Sequence, residues 1–244
     1  MQTYRIVFRI DTPLCITYPF LPTFDGVLGY GYVKEIFRNP DFREKYLAKI
    51  EDKNHKEFFK KMPFTSTIPQ KMSYSEVEKI NFDFLPLVKN EYFFASNMKI
   101  EYLKSENFGY IRKQWDKTRT QFSGVQKNLR INMGVTKSVQ IEVPLKIAPE
   151  VSFIFATEDI NEVLLLLTYI VGFGKKRNKQ WGHIVRYDLQ EVNYDWEIIN
   201  RPIPQRLVTT EMIKKTGDVL SLFLAWQPPY HQTEREMCII NYEK

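Results

Sequence analysis

The sequence predicts an α+β protein built on strand–helix–strand units, and three stretches carry that expectation: an alternating N-terminus, a glycine-spaced helix behind it, and a capped apolar helix leading into a late strand. In residues 3–16, Tyr4, Ile6, Phe8 and Ile10 fall on one face and Arg5, Val7, Arg9 and Asp11 on the other. That predicts a strand ending at Pro13 or soon after. Phe24, Val27, Leu28, Gly31 and Glu35 then recur at helical spacing, with Asp25 as the expected N-cap. Gly29 and Gly31 are small enough to let this helix lie close to a sheet. Strand followed by packed helix is the first half of a split βαβ unit.

Residues 38–62 mix Arg38, Arg43, Lys45, Lys49, Lys53, Lys56, Lys60 and Lys61 with Asp41, Glu44, Glu51, Asp52 and Glu57. Alternating signs predict a solvated helical insertion and not a binding arm. Pro63, Pro69 and Pro86 mark a loop-rich region, after which residues 87–103 read as extended structure. Residues 108–130 hold Arg112, Lys113, Lys117, Arg119, Lys127 and Arg130 against one acid, Asp116, interleaved with Phe108, Tyr110, Trp115 and Phe122. Too polar for core, this stretch is expected to be a basic hairpin or loop.

Residues 138–156 alternate again through Val139, Ile141, Val143, Leu145 and Ile147, and Pro149 divides them into two strands with the potential to pair. Asp159 followed by Glu162 is a capping-box pattern in front of Val163, Leu164, Leu165, Leu166 and Leu167. A helix that apolar is expected against a sheet, ending at Gly172 and Gly174. Residues 183–192 resume as a strand with Val185, Tyr187 and Leu189 on one face. The expected division is a main domain over 1–192 and a smaller, irregular C-terminal extension over 193–244, where Arg201-Pro202-Ile203-Pro204 and Gln227-Pro228-Pro229-Tyr230 cluster prolines.

A chain of 244 residues that is 43% hydrophobic has enough apolar mass for a sizeable core. The longest apolar run, residues 163–173, falls short of the roughly 18–20 residues of a membrane-spanning helix, and the N-terminus lacks a charged-then-apolar leader pattern. A soluble, cytoplasmic protein is expected, with Cys15 and Cys238 as reduced thiols. The net charge of +6 is mild, so its distribution matters more than its sum.

That distribution points to residues 172–182. Gly172, Phe173 and Gly174 open the segment, Trp181 and Gly182 close it, and Lys175, Lys176, Arg177 and Lys179 between them meet no acid. Glycines permit positive φ and close approach to a phosphate chain, while the cations neutralise phosphates and release counterions. Trp181 or Phe173 is placed either to stack on a base or to anchor the loop to the core. A phosphate-binding loop of the nucleotide-hydrolase type needs two glycines with four residues between them, followed by Lys-Ser or Lys-Thr, between a strand and the next helix. Here the loop follows a helix, which also excludes the dinucleotide-binding fingerprint.

Gly172-Phe173-Gly174, a basic and polar stretch, then Trp181-Gly182-His183-Ile184 resembles the glycine-rich loop of RAMP superfamily proteins, the ferredoxin-like (RRM-like) RNA-binding subunits and processing nucleases of CRISPR systems. The resemblance covers the loop with its flanking helix and strand, and the N-terminal strand and helix. Residues 16–20 with Phe24-Asp25-Gly26, Arg201-Pro202-Ile203-Pro204 and Pro228-Pro229-Tyr230 are similar to the handle-binding subunit of type IV CRISPR complexes. The resemblance implies a non-catalytic subunit that clamps the 5′ handle of the guide RNA (crRNA) and caps a filament of backbone subunits. It also implies a large subunit among its partners and indirect contact with target nucleic acid. On that reading Gly172, Gly174, Lys175, Lys176, Arg177, Lys179, Trp181, Gly182 and His183 hold RNA, and Arg112, Lys113, Lys117 and Arg119 extend the track.

The same superfamily contains endoribonucleases, whose metal-free chemistry usually needs a general base such as histidine. Of the three histidines, His55 is expected to be solvated, His231 lies in the irregular tail, and His183 follows the loop, facing either RNA or the core. Glu158, Asp159 and Glu162 are read as helix-start residues and not as metal ligands, and no cofactor or metal is expected. Two alternatives stay open: a guide-processing endoribonuclease, and a scaffold subunit that touches mainly protein.

Overall fold

The structure, a computed structural model, describes residues 1–15, 22–61, 80–90, 92–101, 106–113, 139–174, 180–196, 208–209, 221–224 and 236–239. The elements are β1 (Gln2–Ile10), α1 (Phe24–Arg38), α2 (Pro40–Lys49), α3 (Lys53–Lys61), β2 (Lys99–Glu101), β3 (Glu106–Lys113), β4 (Val139–Lys146) and β5 (Glu150–Thr157). There follow α4 (Ile160–Leu167), β6 (Ile184–Glu191) and three short strands, β7 (Val208–Thr209), β8 (Ser221–Leu224) and β9 (Glu236–Ile239). The protein is α+β: helices stand against an antiparallel four-stranded sheet of order β2-β5-β1-β6.

The alternation of β1 does what its period demands. Ile6, Phe8 and Ile10 are buried beneath α1 and α4, together with Val151, Phe153 and Phe155 of β5. Phe24, at the first turn of α1, stacks on Phe155 at 4.3 Å between centroids and meets Phe153 at 5.3 Å. Each fully buried aromatic of this kind contributes about 1.5–3 kcal/mol through burial.

Several sequence expectations are corrected in detail. β1 stops at Ile10, because the backbone there leaves its partners in β5 and β6; Leu14 pairs instead with Lys146, at the end of β4, through two 2.8 Å hydrogen bonds. Thr23, not Asp25, caps α1, accepting from the Gly26 N–H, while Asp25 is buried in the first turn. The space beside Gly31 is filled by the backbone of Leu166 in α4, and that beside Gly29 by Phe82, so these glycines serve a helix crossing and a loop contact and not the sheet.

The charged stretch 38–62 does form helices, but α2 is more than a solvated insertion. Phe42, Arg43 and Tyr46 are buried, and the Arg43 guanidinium donates to the carbonyls of Ile36 (2.9 Å) and Phe59 (3.4 Å), tying α1, α2 and α3 together. His55 is not simply solvated; its ring lies 5.2 Å from that of Phe59 and 6.5 Å from that of Tyr46.

The two strands flanking Pro149 do not pair with each other. β4 pairs with β3 in a separate two-stranded ribbon, and β5 lies between β1 and β2. Asp159 caps α4 as expected, accepting from the N–H groups of Asn161 and Glu162, but the helix ends at Leu167, before the glycines. Along β6 a bulge at Arg9/Ile10 makes Val185 the extra residue: it is 59% exposed, while Ile184 opposes Ile10 and Tyr187 opposes Phe8. Within the C-terminal stretch, β7, β9 and β8 form a small antiparallel sheet.

Candidate nucleic-acid interface

The two ends of the basic loop are held together as a narrow neck. The Phe173 N–H donates to the Gly182 carbonyl at 2.9 Å, and Gly172 pairs with His183, so the strands entering and leaving the loop touch. The Gly182 N–H donates to the Pro13 carbonyl at 2.9 Å, which fastens the neck to the segment that follows β1. Three glycines make this approach sterically permissible. A Cβ on Gly182 would lie 2.1 Å from the Phe173 oxygen, on Gly172 2.8 Å from the Gly182 oxygen, and on Gly174 2.6 Å from the Cys15 oxygen. Gly174 and Gly182 also take positive φ, +84° and +67°, and Gln180 takes 63° without being glycine.

The glycines therefore close the neck. The N–H groups of Phe173 and Gly182 are spent on internal hydrogen bonds and are not offered to a phosphate. Phe173 is an anchor, 4% exposed and set edge-on to Phe8 at 5.0 Å. Trp181 is half-buried against Cys15 and Leu145.

A second lock comes from Thr12, which sequence reasoning missed. Its hydroxyl donates to the Gln180 carbonyl at 2.6 Å and accepts from the His183 N–H at 2.8 Å. The neighbouring Asp11 carboxylate meets His183 Nδ1 at 3.0 Å, and both side chains are about half exposed, 50% and 48%. His183 thus faces outward and not into the core. The Asp-Thr-Pro turn at 11–13 was the available signal; a short polar turn does not announce a partner some 170 residues away.

Lys175, Lys176, Arg177 and Lys179 lie outside the described residues, as do Lys117 and Arg119. Arg112 and Lys113 sit on β3, opposite Gln140 and Val139. The ribbon they belong to starts beside the loop neck, since Lys146 of β4 bonds to Leu14 and Leu145 packs with Cys15 and Trp181. Arg112 lies six residues along the strand from the Glu106–Lys146 pair, hence about 20 Å further out at the usual rise. On the sheet face away from the helices, Arg9 is bridged by Glu150 and by Asp188, the latter at 3.6 Å. That guanidinium is already neutralised by the protein's own acids.

Among the described residues there is no group of three or more histidine, cysteine or acidic side chains able to hold a metal ion, and no helix long and apolar enough to cross a membrane. His231 lies outside the described residues. Compared with known proteins, no protein-family model matches the chain and no curated protein matches it.

Proposed function

We propose that this chain is a non-catalytic, cytoplasmic RNA-binding subunit with a ferredoxin-like RAMP fold, which holds the 5′ handle of a guide RNA within a CRISPR ribonucleoprotein, most like type IV, and caps its backbone filament. Support for the fold comes from the strand order β2-β5-β1-β6, with α1 after β1 and α4 between β5 and β6. Read along the four main strands, that is a βαββαβ chain with the first and third strands central.

The observation that carries the function is the glycine-built neck, pinned to Pro13, Thr12 and Cys15, which brings together the two ends of a stretch, residues 175–179, whose charged side chains in sequence are all cationic. Cations presented this way bind phosphates through counterion release. The partners on this reading are the guide RNA, a backbone filament protein and a large subunit. Target nucleic acid is reached through the guide.

Changing Lys175, Lys176 and Arg177 together to Ala tests it. Each phosphate contact removed should flatten the log–log salt dependence of guide-RNA binding by roughly 0.7–0.9. A folded triple variant whose slope equals that of the parent overturns the reading.

The exposed pair of His183 and Asp11 beside the neck favours one second reading, a guide-processing endoribonuclease with His183 as general base. Metal-free cleavage of a repeat RNA at a discrete position, abolished in His183→Ala, would establish it.

A further inference from the structure

Away from the loop, α1, α2 and the start of α4 border a half-open pocket of about 390 Å³ lined by Tyr32, Phe42, Lys45, Tyr46, Lys49 and Glu162. That size is within the range of small-ligand sites, roughly 300–1,000 Å³. Phe42 and Tyr46, one turn apart on α2, are set at 80° and 82° to the Tyr32 ring, with centroids 5.6 and 6.0 Å away.

The polar groups facing this space are underused. Tyr32 is 1% exposed, and among the described residues its hydroxyl has no hydrogen-bond partner. Burial, then Tyr46 and Glu162, push that hydroxyl far above the usual tyrosine range, so it is a donor at any physiological pH. In a capping box Glu162 would reach back to the Asp159 N–H. Here Thr157 Oγ1 takes that N–H at 3.0 Å, and the half-buried Glu162 lines the cavity instead. Lys45 and Lys49 are exposed, and neither closes an ion pair with Glu162 among the described residues.

We propose that this cavity binds a guanine nucleotide, with Phe42 and Tyr46 against the base, Glu162 accepting from its N1–H and N2–H groups, the Tyr32 hydroxyl donating to O6, and Lys45 and Lys49 taking the phosphate. A carboxylate only accepts hydrogen bonds, and guanine is the base whose pairing edge offers two adjacent donors next to an acceptor. Adenine presents one amino group beside a ring acceptor, which a carboxylate repels. The nucleotide arrives free or as one residue of a single strand splayed out of its stack. Apart from Glu162 this site is built on α1 and α2, and it does not rest on the RNA-handle reading.

Isothermal titration of the full chain with GMP, AMP and inorganic phosphate tests the proposal. GMP is expected to bind at least tenfold more tightly than AMP or phosphate. Tyr32→Phe and Glu162→Gln should each weaken GMP at least tenfold, Tyr32→Phe without lowering the melting temperature. The Lys175/Lys176/Arg177 triple alanine variant should bind GMP unchanged, which separates this site from the loop. An oligouridine carrying one central guanosine that displaces GMP identifies a strand as the source; displacement by free nucleotides alone identifies the mononucleotide. Equal affinity for AMP and GMP, no GMP heat up to millimolar concentration, or parental affinity in both single variants overturns it.

Discussion

Gly31 of α1 and Leu166 of α4 are in backbone contact: a Cβ on Gly31 would sit 2.3 Å from the Leu166 carbonyl oxygen and 3.0 Å from its carbonyl carbon. Neither atom can move without shifting a helix. Gly31→Ala is therefore expected to cost about 1–3 kcal/mol or more. At about 2–4 °C per kcal/mol for a chain of this size, melting should fall by several degrees. Gly29→Ala is the control. Its nearest neighbours are Phe82 ring atoms at 3.2 and 3.4 Å, which can yield, so the loss should be clearly smaller by thermal denaturation.

The loop neck offers a sharper test at Gly182, where φ of +67° and the Phe173 oxygen both exclude a side chain. Gly182→Ala should open the neck, raising the rate of proteolytic nicking within residues 175–179. On the proposed function it should also weaken guide-RNA binding about tenfold while the far-ultraviolet circular dichroism stays that of a folded protein. Unchanged nicking would mean that the neck is not held as described.

Thr12→Val removes the hydroxyl that bridges Gln180 and His183 while keeping its shape. Two neutral hydrogen bonds in an exposed setting are worth about 1 kcal/mol together. Chemical denaturation should show a loss of that order, with Thr12→Ser recovering most of it. Equal stability of the valine and serine variants would remove Thr12 from the neck.

Burial raises the Glu162 carboxyl above its ordinary range; Asp159 adds to the rise, while Lys49 and Lys45 oppose it. A raised pKa in the fold means that burial penalises the ionised carboxylate more than the neutral acid, so the stability that Glu162 contributes is full below the ordinary glutamate value and is lost as pH rises through the raised one. Glu162→Gln, which imitates the protonated acid, should melt above the parent at pH 7, and the gap should close as pH falls toward 4. A variant that melts lower at pH 7 would show Glu162 to be held by its lysines.

How much of this was legible beforehand depends on whether the information was local. Ile6, Phe8 and Ile10 declare a strand face because alternation is a property of the chain itself, and Asp159 declares a helix start because the cap bonds lie within three residues. The neck glycines were recognisable as special, but their part in closing the neck was not. Whether Gly182 meets a phosphate or the Phe173 carbonyl depends on where a chain segment nine residues away returns. The cavity was invisible for the same reason: Tyr32, Tyr46 and Glu162 lie on three helices, and each alone reads as ordinary core or cap.

Periodicity, capping and composition determined the mixed helix-and-strand class, the N-terminal strand, the α4 start and a cation-only stretch between glycines. Tertiary structure alone decided that β4 leaves β5 for β3, that Gly31 seats α1 on α4, and that Thr12 and Pro13 clamp the loop. The division is physical. Local preferences reflect how one segment buries its own apolar face, whereas pairings between distant segments reflect which of many compatible faces pack together, a choice made only when the whole core closes.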